Sequence, residues 1–298
     1  MDIKGKRFLV TGAGGFVGRH LTEKLISLGA RVTALVRKNK ASLKTNNNLT
    51  ILEKDLLEIN KEDTKGIDVV IHLAAITDLP DCQKNPKKAY EVNVLGTISL
   101  LENSKDVEKF VYVSSLAVYG NSLKLPSRED DSPTPIETYA ATKVAAEYFT
   151  STHCNSINLP FCIARLFSVY GPGQKNGFVI PRIISQAIAK DELDLKNTDT
   201  TRDFIYIGDV VDALINLSVR GNGIYNVGTG IETSIMEVIS NVEKILNKKL
   251  AVKTSGEKKL GVSRSRSDPT KMVREIGWKY SINLQEGLKM TLDSYKNG

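Results

Sequence analysis

The chain has 298 residues, 41% hydrophobic and 25% charged, ordinary proportions for a globular protein with a large core. No apolar run approaches the roughly 20 residues of a membrane helix, residues 1–6 lead straight into a strand-like segment with no room for a signal peptide, and Cys82, Cys154 and Cys162 form no spaced set for a metal or a disulfide framework, which fits a reducing cytoplasm. The formal net charge of +7 comes with only 6% aromatic residues and no basic run interleaved with stacking rings, so no nucleic-acid partner is expected, and the positive balance suits a phosphorylated cofactor and substrate.

Arg7–Thr11 reads as a buried parallel strand. The turn after it holds Gly12, Gly15 and Gly18 as G-x-x-G-x-x-G, with Phe16 and Val17 inside the last interval. A helix is expected over residues 15–28, with Val17, Leu21, Leu25 and Leu28 on one face and Gly29 as its stop. Glycines placed there let the backbone approach a pyrophosphate, and the helix N-terminus offers it free N–H groups. A tight turn with no ligand is the plainer reading of the glycines alone. Their position in the first turn of a strand–helix pattern points to a dinucleotide.

Arg31–Val36 is a second strand, and its end selects the cofactor. An acidic residue there would bind the ribose hydroxyls of NAD. Val36 stands there instead, followed by Arg37, which suits the 2′-phosphate of NADP; a solvated loop arginine is the alternative. Residues 46–48 read as loop, 49–52 and 68–73 as strands, 86–104 as a helix, 109–113 as a strand, 137–152 as a helix and Phe161–Leu166 as a strand. Strands alternate with helices to about residue 170, the pattern of an α/β, Rossmann-like, doubly wound parallel sheet. Residues 1–170 are expected to form the dinucleotide-binding domain. Residues 171–298 are expected to form a smaller C-terminal substrate-binding portion that sends some segments back to the main sheet.

Tyr139-Ala140-Ala141-Thr142-Lys143 puts a phenol and an ammonium on one helix face. A nearby cation is expected to draw a tyrosine pKa of about 10 toward the working range. Alone, such a pair is most often a surface tyrosine above a solvated lysine. Ser115 lies in Val111-Tyr112-Val113-Ser114-Ser115-Leu116-Ala117-Val118-Tyr119-Gly120, at a strand end, where open parallel sheets place their ligands. A serine there is otherwise a turn former. Glycine turn, serine and Y-x-x-x-K in this order favour Ser115, Tyr139 and Lys143 as a catalytic set.

With these motifs the sequence resembles the nucleotide-sugar epimerase/dehydratase branch of the extended short-chain dehydrogenases/reductases, over nearly the whole chain. His72-Leu73-Ala74-Ala75, Asn93-Val94-Leu95-Gly96-Thr97, the segment from Arg165 to Gln174, the segment from Arg202 to Val211, Tyr225 to Gly230 and Ile276-Gly277-Trp278 all carry the resemblance. It implies NAD or NADP as cofactor, with Asp55 and Leu56 lining the adenine pocket and Leu73, Ala74, Ala75, Asn93 and Phe167 beside the dinucleotide. It implies a nucleotide-sugar substrate, with Arg202 on the diphosphate and Thr77, Ser168, Val179 and Lys258 around the sugar and phosphates. It also implies a homodimer through residues 86–104 and 137–152.

The departures bear on the reaction. Family dehydratases carry an acidic residue just after the serine or threonine, and here Leu116 and Ala117 stand there. Without an acid for the leaving hydroxyl, 4,6-dehydration is disfavoured. Ser168 replaces a usual asparagine, Phe178 sits near another, and Lys258 takes the place of an arginine without its bidentate fork. The resemblance then implies hydride transfer at C4, with Ser115 and Tyr139 on the C4 oxygen and Lys143 on Tyr139 and the ribose. A 4-epimerase with retained NAD is the favoured outcome. A 4-ketosugar reductase consuming NADPH is the alternative that Val36 and Arg37 support, and a non-catalytic dinucleotide-binding regulator is the third.

Overall fold

The computed structural model describes residues 3–37, 43, 46–122, 124–196, 198–254 and 261–296. Its first half is a run of alternating elements. These are strands β1 (Arg7–Thr11), β2 (Arg31–Val36), β3 (Leu49–Glu53), β4 (Val69–His72), β5 (Lys109–Ser115) and β6 (Phe161–Leu166), with helices α1 (Phe16–Ser27), α2 (Lys61–Thr64), α3 (Leu79–Lys84), α4 (Pro86–Tyr90), α5 (Gly96–Asn103) and α6 (Thr138–Ser156). Short strands follow: β7 (Ser168–Tyr170), β8 (Glu192–Leu195), β9 (Thr201–Arg202), β10 (Phe204–Tyr206), β11 (Gly223–Val227), β12 (Thr233–Ser234) and β13 (Ala251–Thr254). Among them lie α7 (Val179–Ala189), α8 (Ile207–Arg220), α9 (Ile235–Leu246) and α10 (Leu284–Lys296).

Seven strands form one parallel sheet in the order β11-β6-β5-β4-β1-β2-β3. The strand alternation explains why both faces are covered. Phe8, Val10, Ile71, Val111, Cys162 and Ala164 bury one face with Leu21 and Leu25 of α1 and Val210 and Leu214 of α8. Leu9, Val70, Phe110 and Ile163 bury the other with Leu100 and Leu101 of α5 and Ala146 and Cys154 of α6. Burying each of the valine, leucine, isoleucine and phenylalanine side chains among these contributes about 1.5–3 kcal/mol. The chain doubles back between β1 and β4, and a crevice opens there at the C-terminal ends of the strands. The alternation expected from sequence is the alternation observed. From the C-terminal half, β11 joins the main sheet beside β6, while β7 pairs with β10, β8 with β13 and β9 with β12 in small satellites.

Several boundaries differ from expectation. α1 ends at Ser27, and Leu28, expected on its buried face, is 43% exposed. Leu28 is the C-cap, and Gly29 at φ 81° turns the chain away, so the side chain swings outward. The expected helix over 86–104 is not continuous. A five-residue π-helical turn, Glu91–Leu95, separates α4 from α5, and the extra residue shifts the register of everything after it. β5 runs two residues past the expected end and carries Ser115, while α6 extends to Ser156. Among the described residues no helix is long and apolar enough to cross a membrane.

Candidate active site

The glycine turn lies at the crevice. Gly12 has φ 67°, and a Cβ there would stand 2.8 Å from the Ala74 backbone nitrogen. A Cβ on Gly18 would stand 2.2 Å from the Gly12 carbonyl oxygen. Only glycine lets β1, the turn and the end of β4 approach this closely. The N-cap of α1 is Gly15, with no side-chain cap and no acidic residue in the first turn. Phe16 and Val17 open the helix. Its first N–H groups are thus left to an anion, which is the fit a dinucleotide pyrophosphate requires.

Buried polar groups that sequence reading passed over hold this turn against β4. Thr11 Oγ1 accepts from the backbone of Leu73 at 3.2 Å and of Ala74 at 3.1 Å, and lies 2.6 Å from His72 Nδ1. His72 Nε2 lies 2.9 Å from Thr97 Oγ1, which donates to the Asn93 carbonyl at 2.7 Å. Burial, aided by Lys143, pushes the His72 pKa down to about 3. Asn93, expected beside the cofactor, has its amide engaged inside the protein. Its oxygen accepts from Ile76 N at 2.7 Å, and its nitrogen donates to Ile76 O and to Thr142 Oγ1, each at 3.0 Å. It therefore ties the loop after β4, with Ala75 and Ile76, to the helix that carries Tyr139.

Tyr139, Lys143 and Ser115 come together as the order of motifs suggested. Ser115 caps the 3-10 turn Leu116–Tyr119, accepting from Ala117 N at 3.2 Å, and its side chain stands near enough to Tyr139 to favour the ionised phenol. Tyr139 is buried, with Ala117, Cys82 and Ala140 around it. The expected depression of its pKa is absent here. Burial raises the phenol well above its ordinary value, with the Ser115 hydrogen bond opposing and Glu137 and Cys82 adding to the rise. The reason is where the ammonium points. Lys143 Nζ donates to the Val113 carbonyl at 2.7 Å and lies 4.7 Å from the centre of the Tyr112 ring. Burial also pushes the Lys143 pKa down to about 8, with Glu147 opposing.

The remaining candidates lie on several different elements. Arg37 is exposed just past the end of β2, with no carboxylate at Val36. Asp55 Oδ1 caps the turn after β3, accepting from Leu57 N at 3.0 Å, and Leu56 is buried against Gly96. Phe167 is buried with Val118 and Tyr119 beside the serine turn. Ser168 begins β7, Val179 begins α7, and Thr77 is exposed in the loop after β4. Arg202 ends β9. Its Nη1 donates to the Thr201 and Ser263 carbonyls at 2.8 Å each, and its Nη2 donates to the Val262 carbonyl. No carboxylate is among these partners, and burial lowers its pKa to about 10. Lys258 lies outside the described residues.

Asp203 is a residue the sequence reading missed. It is fully buried and accepts from Thr229 N and Oγ1, Gly230 N, and Ser267 N and Oγ, at 2.5–3.0 Å. It ties β9 to the turn after β11 and to the 261–268 strap, and so sets where its neighbour Arg202 stands. An aspartate directly after a candidate phosphate ligand, ahead of an apolar Phe-Ile-Tyr run, was the available signal. Among the described residues no cluster of His, Cys, Asp or Glu could hold a metal.

The profile of the NAD dependent epimerase/dehydratase family matches residues 8–228. The UDP-glucuronate 4-epimerase of Thermodesulfobacterium geofontis is 31% identical over 307 residues, covering 96% of this chain and 95% of its own. The UDP-N-acetylglucosamine 4-epimerase of Methanobrevibacter ruminantium superposes with a TM-score of 0.92 at 27% identity, covering 99% of both chains. A UDP-glucuronic acid 4-epimerase of Bacillus cereus, in complex with UDP-glucuronic acid and NAD, superposes with a TM-score of 0.90 at 28% identity, covering 98% of this chain and 99% of its own. Relatives named as dehydratases and as a reductase also match. The chain belongs to the NAD dependent epimerase/dehydratase family and is an NAD(P)-dependent enzyme.

Proposed function

We propose that this member of the family is a nucleotide-sugar 4-epimerase, acting on a UDP-hexose. The observation that carries the reading is Ser115 at the end of β5 near buried Tyr139, on the helix that also buries Lys143, with apolar Leu116 and Ala117 where a dehydratase needs an acid. Bound at the glycine turn, the dinucleotide supplies a hydride acceptor and, after it, a hydride donor. Tyr139 takes the proton from the C4 hydroxyl and returns it. Ser115 holds the C4 oxygen against Tyr139. Lys143, its ammonium turned to the Val113 carbonyl, holds the nicotinamide ribose. Arg202 anchors the diphosphate, and Ser168, Val179 and Thr77 surround the sugar, with Lys258 beside the phosphates. Residues 171–298 supply Val179, Arg202 and Lys258 of these groups, and Gly12, Gly15, Phe16, Val17, Gly18, Asp55, Leu56, Leu73, Ala74, Ala75 and Phe167 form the dinucleotide cleft.

The second reading, a 4-ketosugar reductase using NADPH, is favoured by exposed Arg37 after a strand end without a carboxylate. One assay separates the two. The purified protein is unfolded with acid, the released small molecules are weighed by mass spectrometry, and the native protein is offered UDP-glucose without added cofactor. Co-purifying NAD with interconversion of the sugar supports the epimerase. An empty cleft that binds NADPH far better than NADH overturns it.

We also infer a homodimer. Tyr90 of α4, Leu95 of the π turn, and Tyr148 and Phe149 of α6 are 43%, 52%, 62% and 48% exposed, which leaves apolar side chains open on packed neighbouring helices. Sedimentation at twice the chain mass, reduced by Tyr148→Lys, is the expected result. A reducing cytoplasmic setting agrees with Cys82, Cys154 and Cys162 being buried and unpaired.

A further inference from the structure

Residues 113–115 of β5 each hold a residue of α6. Ser115 reaches the Tyr139 phenol, the Val113 carbonyl accepts from Lys143, and Ser114 Oγ donates to Glu147 Oε1 at 2.5 Å. Glu147 stands one helical turn beyond Lys143, on the same face. It is 5% exposed, and its carboxylate accepts three further bonds from Arg165 of β6, which is 2% exposed. Arg165 Nε lies 3.0 and 3.2 Å from the two oxygens, and Nη2 lies 2.7 Å from Oε2. The other arm of Arg165 reaches forward. Its Nη1 donates to Tyr119 Oη at 2.9 Å and to the Glu129 carbonyl at 3.2 Å, and Tyr119 Oη donates to Asn226 Oδ1 at 2.7 Å. Arg165 thus grips α6 behind Lys143 and also the far end of the turn that begins at Ser115.

A buried ion pair is a weak source of net stability, since apolar side chains of equal volume often serve as well. Its position relative to Lys143 is the more telling fact. From α6, Lys143 faces Glu147; from β5, the Val113 carbonyl and the Tyr112 ring; from β4, neutral His72; and Arg165 of β6 stands behind Glu147. Glu147 is the one carboxylate in that set.

We propose that Glu147, held by Ser114 and Arg165, is a positioning residue: it fixes the register of α6 on β5 and gives Lys143 the counter-charge that keeps its ammonium formed during turnover. The proposal rests on the roles given above to Ser115, Tyr139 and Lys143. The direction of the electrostatics agrees, since burial pushes Lys143 down to about 8 and Glu147 pushes it back up.

The test follows NADH affinity by fluorescence between acidic and alkaline pH, which needs no knowledge of the sugar. In the parent, affinity falls as Lys143 loses its proton. Lys143→Met is expected to remove that limb. A limb retained in Lys143→Met overturns the role of Lys143 and the proposal with it. Given its loss, Glu147→Gln is expected to move the limb to lower pH by about one unit, the lower end of what an adjacent opposite charge produces. Glu147→Asp, which keeps the charge, is expected to restore it. A folded Glu147→Gln whose limb stays in place, while that of Lys143→Met is gone, overturns the counter-charge. If Glu147→Gln does not fold, Ser114→Ala loosens the same contact with no charge left unpaired. A several-fold loss of NADH affinity there supports the proposal, and parental affinity overturns it.

Discussion

Lys143 and Arg202 are both cations drawn out of water, and the protein holds them in opposite ways. Lys143 has one carbonyl partner at 2.7 Å and a carboxylate one turn behind it, and its pKa has fallen to about 8. Arg202 is gripped by the carbonyls of Thr201, Ser263 and Val262, with no acid among its partners, and its pKa is still about 10. A group balanced near the working pH suits a task in which charge matters step by step. A group that stays charged and unneutralised suits a ligand that brings its own negative charge. The seam between β5 and α6 thus suits the chemistry proposed for it, and the strap around Arg202 the proposed anchoring.

The largest effect expected from this contrast is at the chemical end. Tyr139→Phe should lower kcat by about 10³-fold, the middle of the range for a positioned proton-transfer group, while NADH affinity stays within a few-fold. Stopped-flow and steady-state rates check it, and a variant that keeps a tenth of the activity would remove Tyr139 from the chemistry. Next comes the anchor. Arg202→Met should raise KM for the nucleotide sugar by roughly 10–100-fold, since hydrogen bonds to charged groups contribute about 1.5–3 kcal/mol, with kcat little changed. A loss in kcat at constant KM would break the division between the two regions. Ser115→Ala should cost about tenfold in kcat, near 1–1.5 kcal/mol for one hydrogen bond, with KM held. The smallest effect is on pH. Lys143 has its pKa lowered to about 8, so its charge is present below that value and lost above it. The rate should therefore decline as pH rises through about 8, by no more than tenfold per unit, and a flat profile to pH 10 would show that the ammonium is not needed.

Much of the fold was legible because the central parallel strands are mostly apolar and many turns are marked by glycine or a polar cluster. The places of the proposed catalytic residues were legible for the same reason, since strand ends and helix starts fix where Ser115, Tyr139 and Lys143 go. The π turn at Glu91–Leu95 was not, because one inserted residue changes the hydrophobic period too little to see over a single turn. Nor was the pKa of Tyr139, which depends on the direction of the Lys143 side chain and on burial, neither of which spacing reveals. Glu147 and Arg165 left a trace. An arginine inside Phe161–Leu166, an otherwise apolar strand, requires a buried acid somewhere, and Glu147 one turn after Lys143 was the nearest in motif.

The contacts around Thr11 have a consequence of their own. Thr11 Oγ1 already receives two backbone protons, so its single hydrogen must go to His72 Nδ1. The imidazole then carries its hydrogen on Nε2 and passes it toward Thr97, whose own hydrogen goes to the Asn93 carbonyl. The side-chain donors Thr11, His72 and Thr97 all point the same way, from the first strand toward the helix beyond the fourth. Turning any one of them around would set two lone pairs against each other. His72 is therefore a fixed dipole, locked in one tautomer and silent across the physiological range. The histidine beside Lys143 serves as masonry, and the proposed proton traffic falls to a phenol and an amine.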